Sequence, residues 1–192
     1  MKEFILNEIN ESLNLKQKVF DSHEIINLIE IIVNDCINSI NNKGKVIFCG
    51  NGGSFADSQH LAAEFISRLR IDRNPLPSLA LGTNSSNLSA IANDYGYDQV
   101  FKREIEALGK KNDILIGIST SGNSSNVIQA VKAANKIGIK TYCFTGFSGG
   151  ILNDLCNCLK IPSNSTDKIQ ECHIMIGHII CCLVEINFFG KK

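Results

Sequence analysis

Short apolar runs alternate with helical patterns after residue 43, and this alternation limits the possible fold more than any other feature. The runs are almost continuously apolar, which is typical of parallel strands buried on both faces. A strand followed by a helix, repeated along the chain, predicts an α/β protein with helices on both faces of a parallel sheet. The predicted strands are 46–49, 78–81, 114–118, 141–144 and 158–161, and the predicted helices between and after them are 55–70, 87–108 with a break at 95–96, 126–137 and 169–188.

The first 42 residues have a different pattern. Their apolar residues recur at helical spacing, with a break near Asp21 and Ser22, which predicts two helices ahead of the α/β core. Broad apolar stripes on such helices need a partner surface, often the same stripe of another subunit. We therefore expect a single domain over 1–192, made of an N-terminal helical arm (1–42) and an α/β core (43–192).

Composition excludes several classes of protein. The 19 basic and 19 acidic side chains balance, so no basic face for nucleic acid is expected. The sequence predicts neither a secretory signal nor a membrane span, and we expect a cytoplasmic protein. The eight cysteines form no CxxC pair, and most of them lie in apolar runs. Most of these thiols are expected to be buried and inert, and Cys156 and Cys158 are the least certain of them.

A glycine-rich loop, Gly50-Asn51-Gly52-Gly53-Ser54, follows the first predicted strand and leads into a helix. Glycines let the backbone approach a ligand, and the amides at a helix start favour an anion. The dinucleotide pattern G-x-G-x-x-G requires glycine at position 55, where Phe55 stands. On these residues alone, a tight turn without a ligand remains an alternative.

A serine-rich loop follows the third predicted strand, and a helix again comes after it. This loop, 119–125, contains Ser119, Thr120, Ser121 and Ser124, but no lysine of a Walker loop. Hydroxyl groups beside the free amides of a helix start suit a phosphate monoester. The alternative is a cluster of turn and capping residues.

Two further helices carry candidate catalytic groups. His60 and Glu64 are four residues apart and share a helix face, so they could ligate a metal, act as a base with an orienting neighbour, or form only a surface ion pair. On the last helix, Gln170 and His178 are eight residues apart and project to roughly the same side. A histidine on an apolar helix is often only a core residue.

The chain resembles the phosphoheptose isomerases of the sugar isomerase (SIS) fold. The resemblance rests on four segments in order, 50–64 (GNGGSFADSQHLAAE), 92–96 (ANDYG), 117–124 (GISTSGNS) and 167–178 (DKIQECHIMIGH). It implies an SIS fold with a five-stranded parallel sheet, and a homotetramer whose active sites lie at subunit interfaces. It also implies isomerisation of D-sedoheptulose 7-phosphate to D-glycero-D-manno-heptose 7-phosphate, the first step of bacterial ADP- or GDP-heptose synthesis. Phe55 departs from the small residue often found at that position, and it could narrow the pocket.

The same resemblance implies a role for each candidate residue. Glu64 and His178 correspond to the catalytic pair, and one zinc ion per subunit would be bound by His60, Glu64, Gln170 and His178. Substrate-binding positions are Asn51, Gly52, Gly53, Glu64, Asn93, Asp94, Ser119, Thr120, Ser121, Ser124 and Gln170, with the serine loop on the phosphate.

Two other functions fit parts of the sequence. Some relatives on this fold are not catalytic and bind a replication-initiation protein, but they look short of the glutamate and histidine that Glu64 and His178 supply here. An SIS isomerase or sensor for another sugar phosphate is the second alternative. Many such proteins carry an additional domain, for which 192 residues leave no room.

Overall fold

The computed structural model describes residues 1–190. Seven α-helices and five strands alternate over most of the described chain, and two short 3₁₀ helices, Tyr97–Gln99 and Gly150–Asp154, lie among them. The strands are β1 Val46–Gly50, β2 Ser78–Ala80, β3 Ile114–Ile118, β4 Lys140–Thr145 and β5 Asn157–Lys160. The helices are α1 Lys2–Phe20, α2 His23–Asn41, α3 Gly53–Ile66, α4 Ser85–Tyr95, α5 Val100–Leu108, α6 Ser125–Ile137 and α7 Thr166–Phe189.

The five strands form one sheet in the order β2-β1-β3-β4-β5, and every pair is parallel. Strands β1 and β3 are buried along their whole length, in agreement with their continuous apolar sequences. Their register pairs Gly50 with Ile118, the last residue of each strand. The loops that follow β1 and β3 therefore leave the same edge of the sheet side by side.

The sheet separates two hydrophobic cores. One face packs against α2, α3 and α7, and this core includes Phe48, Phe65 and Ile176. The other face packs against α5 and α6, around Leu115, Val127 and Phe101. The predicted α/β/α layering is confirmed, and so are the break between α1 and α2 and the break at residues 95–96.

The two N-terminal helices differ in their burial. Helix α2 contributes Ile25, Ile29 and Ile32 to the core, and Ser22 caps it by accepting a hydrogen bond from the amide of Ile25. Helix α1 instead leaves an apolar stripe in contact with solvent. Its members are Phe4, Ile5, Leu6, Ile9 and Leu13, each more than half exposed.

Helix α7 is the core helix of the first layer. Its length and mean hydropathy of 1.8 would also suit a membrane span, but half of that stretch is buried inside the protein. Its buried His173 has a partner at one ring nitrogen: Nε2 lies 3.1 Å from the carbonyl oxygen of Thr145, whereas Nδ1 has none among residues 1–190. Burial lowers the pKa of His173 to about 4. These contacts are typical of a helix packed within a folded domain.

Helix α3 ends earlier than its sequence pattern predicts. The pattern predicts a helix over 55–70, whereas the helix ends at Ile66. The amides of Leu69, Arg70 and Ile71 donate to the carboxylate of Glu185 on α7, at 2.8–3.2 Å, instead of continuing the helix. A partner more than a hundred residues away therefore determines where this helix stops.

Candidate functional site

The glycine loop takes a backbone conformation that requires glycine. Gly52 has φ +55° and ψ −122°, which side-chain-bearing residues rarely adopt. At Gly53, a Cβ atom would lie 2.8 Å from both polar atoms of the Gln170 amide. The last helix thus packs directly against the start of α3, and only a residue without a side chain fits between them.

Asn51 is fixed by a network that sequence reasoning missed. Its side-chain amide exchanges two hydrogen bonds of 2.8 Å with the amide of Asn126, near the start of α6. The hydroxyl of Tyr97 also donates to Asn51 Oδ1 at 3.1 Å. The glycine loop is therefore tied to the helix that follows the serine loop. The only signal in the sequence was the place of Asn126 directly after the serine-rich loop.

The serine loop is built around one hydroxyl pair. Ser119 Oγ and Ser124 Oγ are 2.8 Å apart, and Ser119 is buried while Ser124 is half-buried. Ser124 is the N-cap residue of α6, yet its hydroxyl bonds to Ser119 and not to the amides of the first helical turn. The amide of Val127 donates instead to Asn126 Oδ1 at 2.9 Å, and amides at a helix start generally favour an anion.

A close backbone crossing fixes the same loop. Gly122 has φ +68°, and a Cβ atom there would lie 1.9 Å from the carbonyl oxygen of Gly149. Ser121 is exposed, and its hydroxyl accepts from the amide of Asn123 at 3.1 Å. Thr120 is half-buried, and its carbonyl oxygen accepts from the amide of Gly146. The contacts with Gly146 and Gly149 therefore fix the loop on one side, and Ser121 is exposed to solvent.

Three side chains from α3 and α7 converge on one point. His60 Nε2 lies 3.0 Å from Glu64 Oε1 and 3.0 Å from His178 Nε2. The three ligand atoms lie within 4.8 Å of one another. Sequence spacing predicted the pair on α3, and the packing of α7 against α3 brings His178 to it.

This donor set fits a divalent metal. Two imidazole nitrogens and one carboxylate oxygen are the ligands of many catalytic zinc sites. Ligands about 2.0–2.1 Å from a tetrahedral zinc are themselves about 3.3 Å apart, close to the separations found here. The His60 side chain is 52% exposed and that of Glu64 is 18% exposed, so the site is open on one side. Open metal sites can accept a water or a substrate oxygen.

Three other predicted residues are not among those that converge here. The amide of Gln170 rests against Gly53, at the start of α3, so its assignment as a fourth metal ligand stays a prediction. Asn93 and Asp94 lie exposed at the end of α4, where the Asn93 amide donates to the Asp94 carboxylate at 2.8 Å. Their contact with a sugar stays a prediction as well.

Asp57 lies one turn before His60 on α3. Its Oδ2 atom is buried, and among residues 1–190 it has no hydrogen-bond partner. Burial raises the pKa of Asp57, and the nearby His60 opposes this shift. A carboxylate beside a metal-binding histidine is a common orienting group.

Arg73 stabilises the end of α3 that carries Glu64, although the segment around it has no distinctive sequence. Its guanidinium donates to the carbonyl oxygens of Glu64 at 2.8 Å and Phe65 at 2.6 Å, and to Glu185 Oε1 at 3.1 Å. Arg73 and Glu185 are almost fully buried. Burial raises the pKa of Glu185, but the amides of Leu69 and Arg70 and the Arg73 guanidinium outweigh it and lower the pKa overall.

The fold and the site together define a parallel α/β protein with a serine-rich loop at the carboxyl edge of its sheet and a potential metal-binding triad. The SIS domain family matches residues 10–146. The phosphoheptose isomerase of Clostridium acetobutylicum is 49% identical over the whole of this chain and 98% of its own length. The chain therefore belongs to the SIS domain family, among the phosphoheptose isomerases.

Two solved structures agree with this placement. The phosphoheptose isomerase of Neisseria gonorrhoeae is 38% identical, with a TM-score of 0.88 over 95% of this chain and 98% of its own. That of Francisella tularensis is 32% identical, with a TM-score of 0.90 over 95% and 96%. Each similarity covers 95% of this chain, so both reach beyond the SIS domain match, which ends at residue 146, into the part of the chain that contains α7.

Proposed function

We propose that this chain is an aldose-ketose isomerase that converts D-sedoheptulose 7-phosphate to D-glycero-D-manno-heptose 7-phosphate. The observation that carries the proposal is the convergence of His60, Glu64 and His178 in a chain 49% identical to a phosphoheptose isomerase. The test is direct: the pure protein should interconvert the two heptose phosphates. No conversion by folded, metal-loaded protein would reject the proposal.

The reaction moves a proton between C1 and C2 of the open-chain sugar through a cis-enediol. One carboxylate can take the proton from one carbon and return it to the other, and we assign this role to Glu64. Glu64 Oε1 is the atom that contacts His60, which leaves Oε2 to carry the proton. In this division, one oxygen orients the carboxylate while the other acts as the base.

His178 completes the pair. Its ring lies beside the Glu64 carboxylate, with ligand atoms of the two side chains within 4.8 Å of each other. From there the imidazole can move protons among the sugar oxygens as C1 and C2 exchange oxidation level. The serine loop binds the phosphate in this proposal, through the hydroxyls of Ser119, Thr120, Ser121 and Ser124 and the amides at the start of α6. The phosphate anchors one end of the sugar and fixes its reacting carbons.

We propose Zn²⁺, one per subunit, as the metal. His60, Glu64 and His178 would hold it, and Gln170 is the proposed fourth ligand. When bound, zinc would supply a positive charge that polarises the substrate carbonyl. The nitrogen and oxygen donor set and the separations of about 3 Å support this choice.

We also propose a homotetramer with active sites at subunit interfaces. The exposed apolar stripe of α1 supports this assembly, because a contiguous apolar surface on a folded protein commonly marks an interface. The balanced charge supports an enzyme that acts in the cytoplasm and binds neither nucleic acid nor membrane. We keep the division into a helical arm (1–42) and a core (43–192) within one domain as a proposal.

The non-catalytic alternative, a protein that binds a replication-initiation protein, is not favoured. Such a protein has no need for a base and a histidine that meet at one point, and Glu64 and His178 do so here. A different sugar phosphate as substrate is tested by the same assay. We propose that the product enters heptose synthesis, whether for lipopolysaccharide, for capsule or for another heptose pathway.

A further inference from the structure

Three cysteines, Cys143, Cys156 and Cys158, lie together at the β5 edge of the sheet. The parallel register places Cys143 of β4 directly opposite Cys158 of β5. Cys156 lies just before β5, and its thiol and that of Cys158 both interact with the thiol of Cys143. The pairing of β4 with β5 creates this cluster, since Cys143 and Cys156 are 13 positions apart in the chain.

The three thiols differ in access to solvent. Cys143 is fully buried, while Cys158 on the edge strand β5 and Cys156 just before that strand are half-buried. Two adjoining cavities, of about 460 and 410 Å³, lie between β5 and α2, and Cys158 lines both of them. Cys156 lines only the smaller cavity, so of the three residues Cys158 has the most contact with the cavities at this edge of the sheet.

The surroundings lower the pKa of Cys158 and raise those of its two neighbours. The thiol of Cys143, then that of Cys156, stabilise the ionised sulfur of Cys158 and lower its pKa, and the Lys160 ammonium and the Thr145 hydroxyl add to this. The same contacts, from Cys156 and then from Cys158, together with burial, raise the pKa of Cys143. The thiol of Cys143 lowers the pKa of Cys156, but the effects of Cys158 and of burial together are larger. The pKa of Cys156 is therefore raised overall.

We propose that Cys158 is a modification site that forms a mixed disulfide with low-molecular-weight disulfides such as oxidised glutathione. The Cys158 thiolate attacks one sulfur of the disulfide, a new Sγ–S bond forms, and the original S–S bond breaks. The second half leaves as a thiolate, which takes a proton from water. Cys158 is oxidised and the released thiol is reduced, so the small disulfide is the only oxidant required.

The surroundings of Cys158 favour this ligand class. Lys18 and Lys160 line the larger cavity against the single acidic group of Glu24, so a disulfide that bears carboxylates is attracted. Burial raises the pKa of Cys143 and of Cys156 and is still present once Cys158 has reacted, so it disfavours the thiolate that either neighbour would need to attack the adduct. Resolution to an internal disulfide is therefore slow.

The test is incubation of the assembled protein with oxidised glutathione, followed by intact mass and peptide mapping. We expect a gain of one glutathionyl group per chain, located on Cys158 and removed by dithiothreitol. The Cys158→Ser variant should gain none. The Cys156→Ser variant, and the matched control Cys182→Ser on α7, should still gain one.

Alkylation by iodoacetamide gives a second measurement on the unmutated protein. The rate at Cys158 should change less than about twofold between pH 6 and 8, because the sulfur is already ionised, whereas an ordinary thiol gains about tenfold per pH unit. An adduct on another cysteine, persistence of the adduct in Cys158→Ser, or labelling of Cys158 only after unfolding would each overturn the proposal. A tenfold gain in rate per pH unit at Cys158 would overturn it too. These outcomes are independent of the isomerase assay.

Discussion

His60 Nε2 and His178 Nε2 lie 3.0 Å apart, although 118 positions separate the two residues in the chain. Both nitrogens, and Glu64 Oε1, point to the same place. Two neutral imidazoles at this distance can share at most one proton, whereas a cation between them satisfies both lone pairs. The arrangement suits a pair of metal ligands, and the proposed metal leads to the first prediction.

Replacement of either histidine should remove the metal. The purified protein should contain about one zinc per subunit by elemental mass spectrometry. His60→Ala and His178→Ala should each lose affinity by more than about 100-fold, because loss of even an orienting partner of a ligand costs 10–100-fold. His23→Ala is the matched control, since His23 is an exposed histidine outside the site. Equal zinc content in all three variants would contradict a site at this point.

The serine loop should set the affinity for phosphorylated substrate. Ser119→Ala combined with Ser124→Ala removes the hydroxyl pair, and each charge-assisted hydrogen bond lost costs about 1.5–3 kcal/mol. KM should rise by at least about tenfold, with a smaller change in kcat. Steady-state kinetics would check this, with Ser125→Ala as a control on the neighbouring exposed hydroxyl. An unchanged KM in the folded double variant means that the phosphate binds elsewhere.

The buried pair of Arg73 and Glu185 should contribute strongly to stability. Glu185→Gln keeps the shape but leaves the Arg73 guanidinium without its counterion, and a broken buried pair costs about 3–5 kcal/mol. Urea unfolding should show a loss of this size. The control is Glu106→Gln, which disrupts an exposed pair with Lys102 at 3.9 Å and should cost less than about 1 kcal/mol. Equal losses in the two variants would show that Arg73 does not need its partner.

The exposed stripe on α1 should hold subunits together. Leu13→Asp places a charge in the stripe, and sedimentation should show a shift from the assembled form toward the 21.0 kDa monomer. Asn14→Asp adds the same charge at the next, exposed position and should leave the assembly intact. A monomer in the unmodified protein at working concentration would contradict the proposed assembly.

Much of the fold could be predicted because its signals are local. Continuous apolar strands and helical periodicity gave the α/β layering, and the loops after β1 and β3 could be placed at one sheet edge by a general rule of parallel sheets. The pairing of His60 with Glu64 is likewise a matter of helical spacing. These features depend on residues within a few positions of one another.

The rest depends on tertiary contacts that spacing does not encode. Helix α3 ends early because Leu69 donates to Glu185, which is 116 positions away. Arg73, which supports the Glu64 backbone, is itself held by Glu185 across 112 positions. The packing of Gln170 against Gly53 follows from how closely α7 approaches α3. The thiol cluster needed the register of β4 against β5. None of these contacts changes the local pattern of the sequence.

The proton transfer by Glu64 is the central claim of the proposed mechanism. Glu64→Gln keeps the size and one polar oxygen but removes the base, and loss of a general base costs about 10²–10⁴ in rate. The most direct measurement follows exchange of the C1 and C2 protons with solvent deuterium together with turnover, and Glu30→Gln, at an exposed position of α2, serves as the matched control. We predict that Glu64→Gln binds sedoheptulose 7-phosphate but loses exchange and turnover together, while Glu30→Gln retains both. Exchange and turnover near the unmodified level in Glu64→Gln would contradict the mechanism and reassign the base to another group.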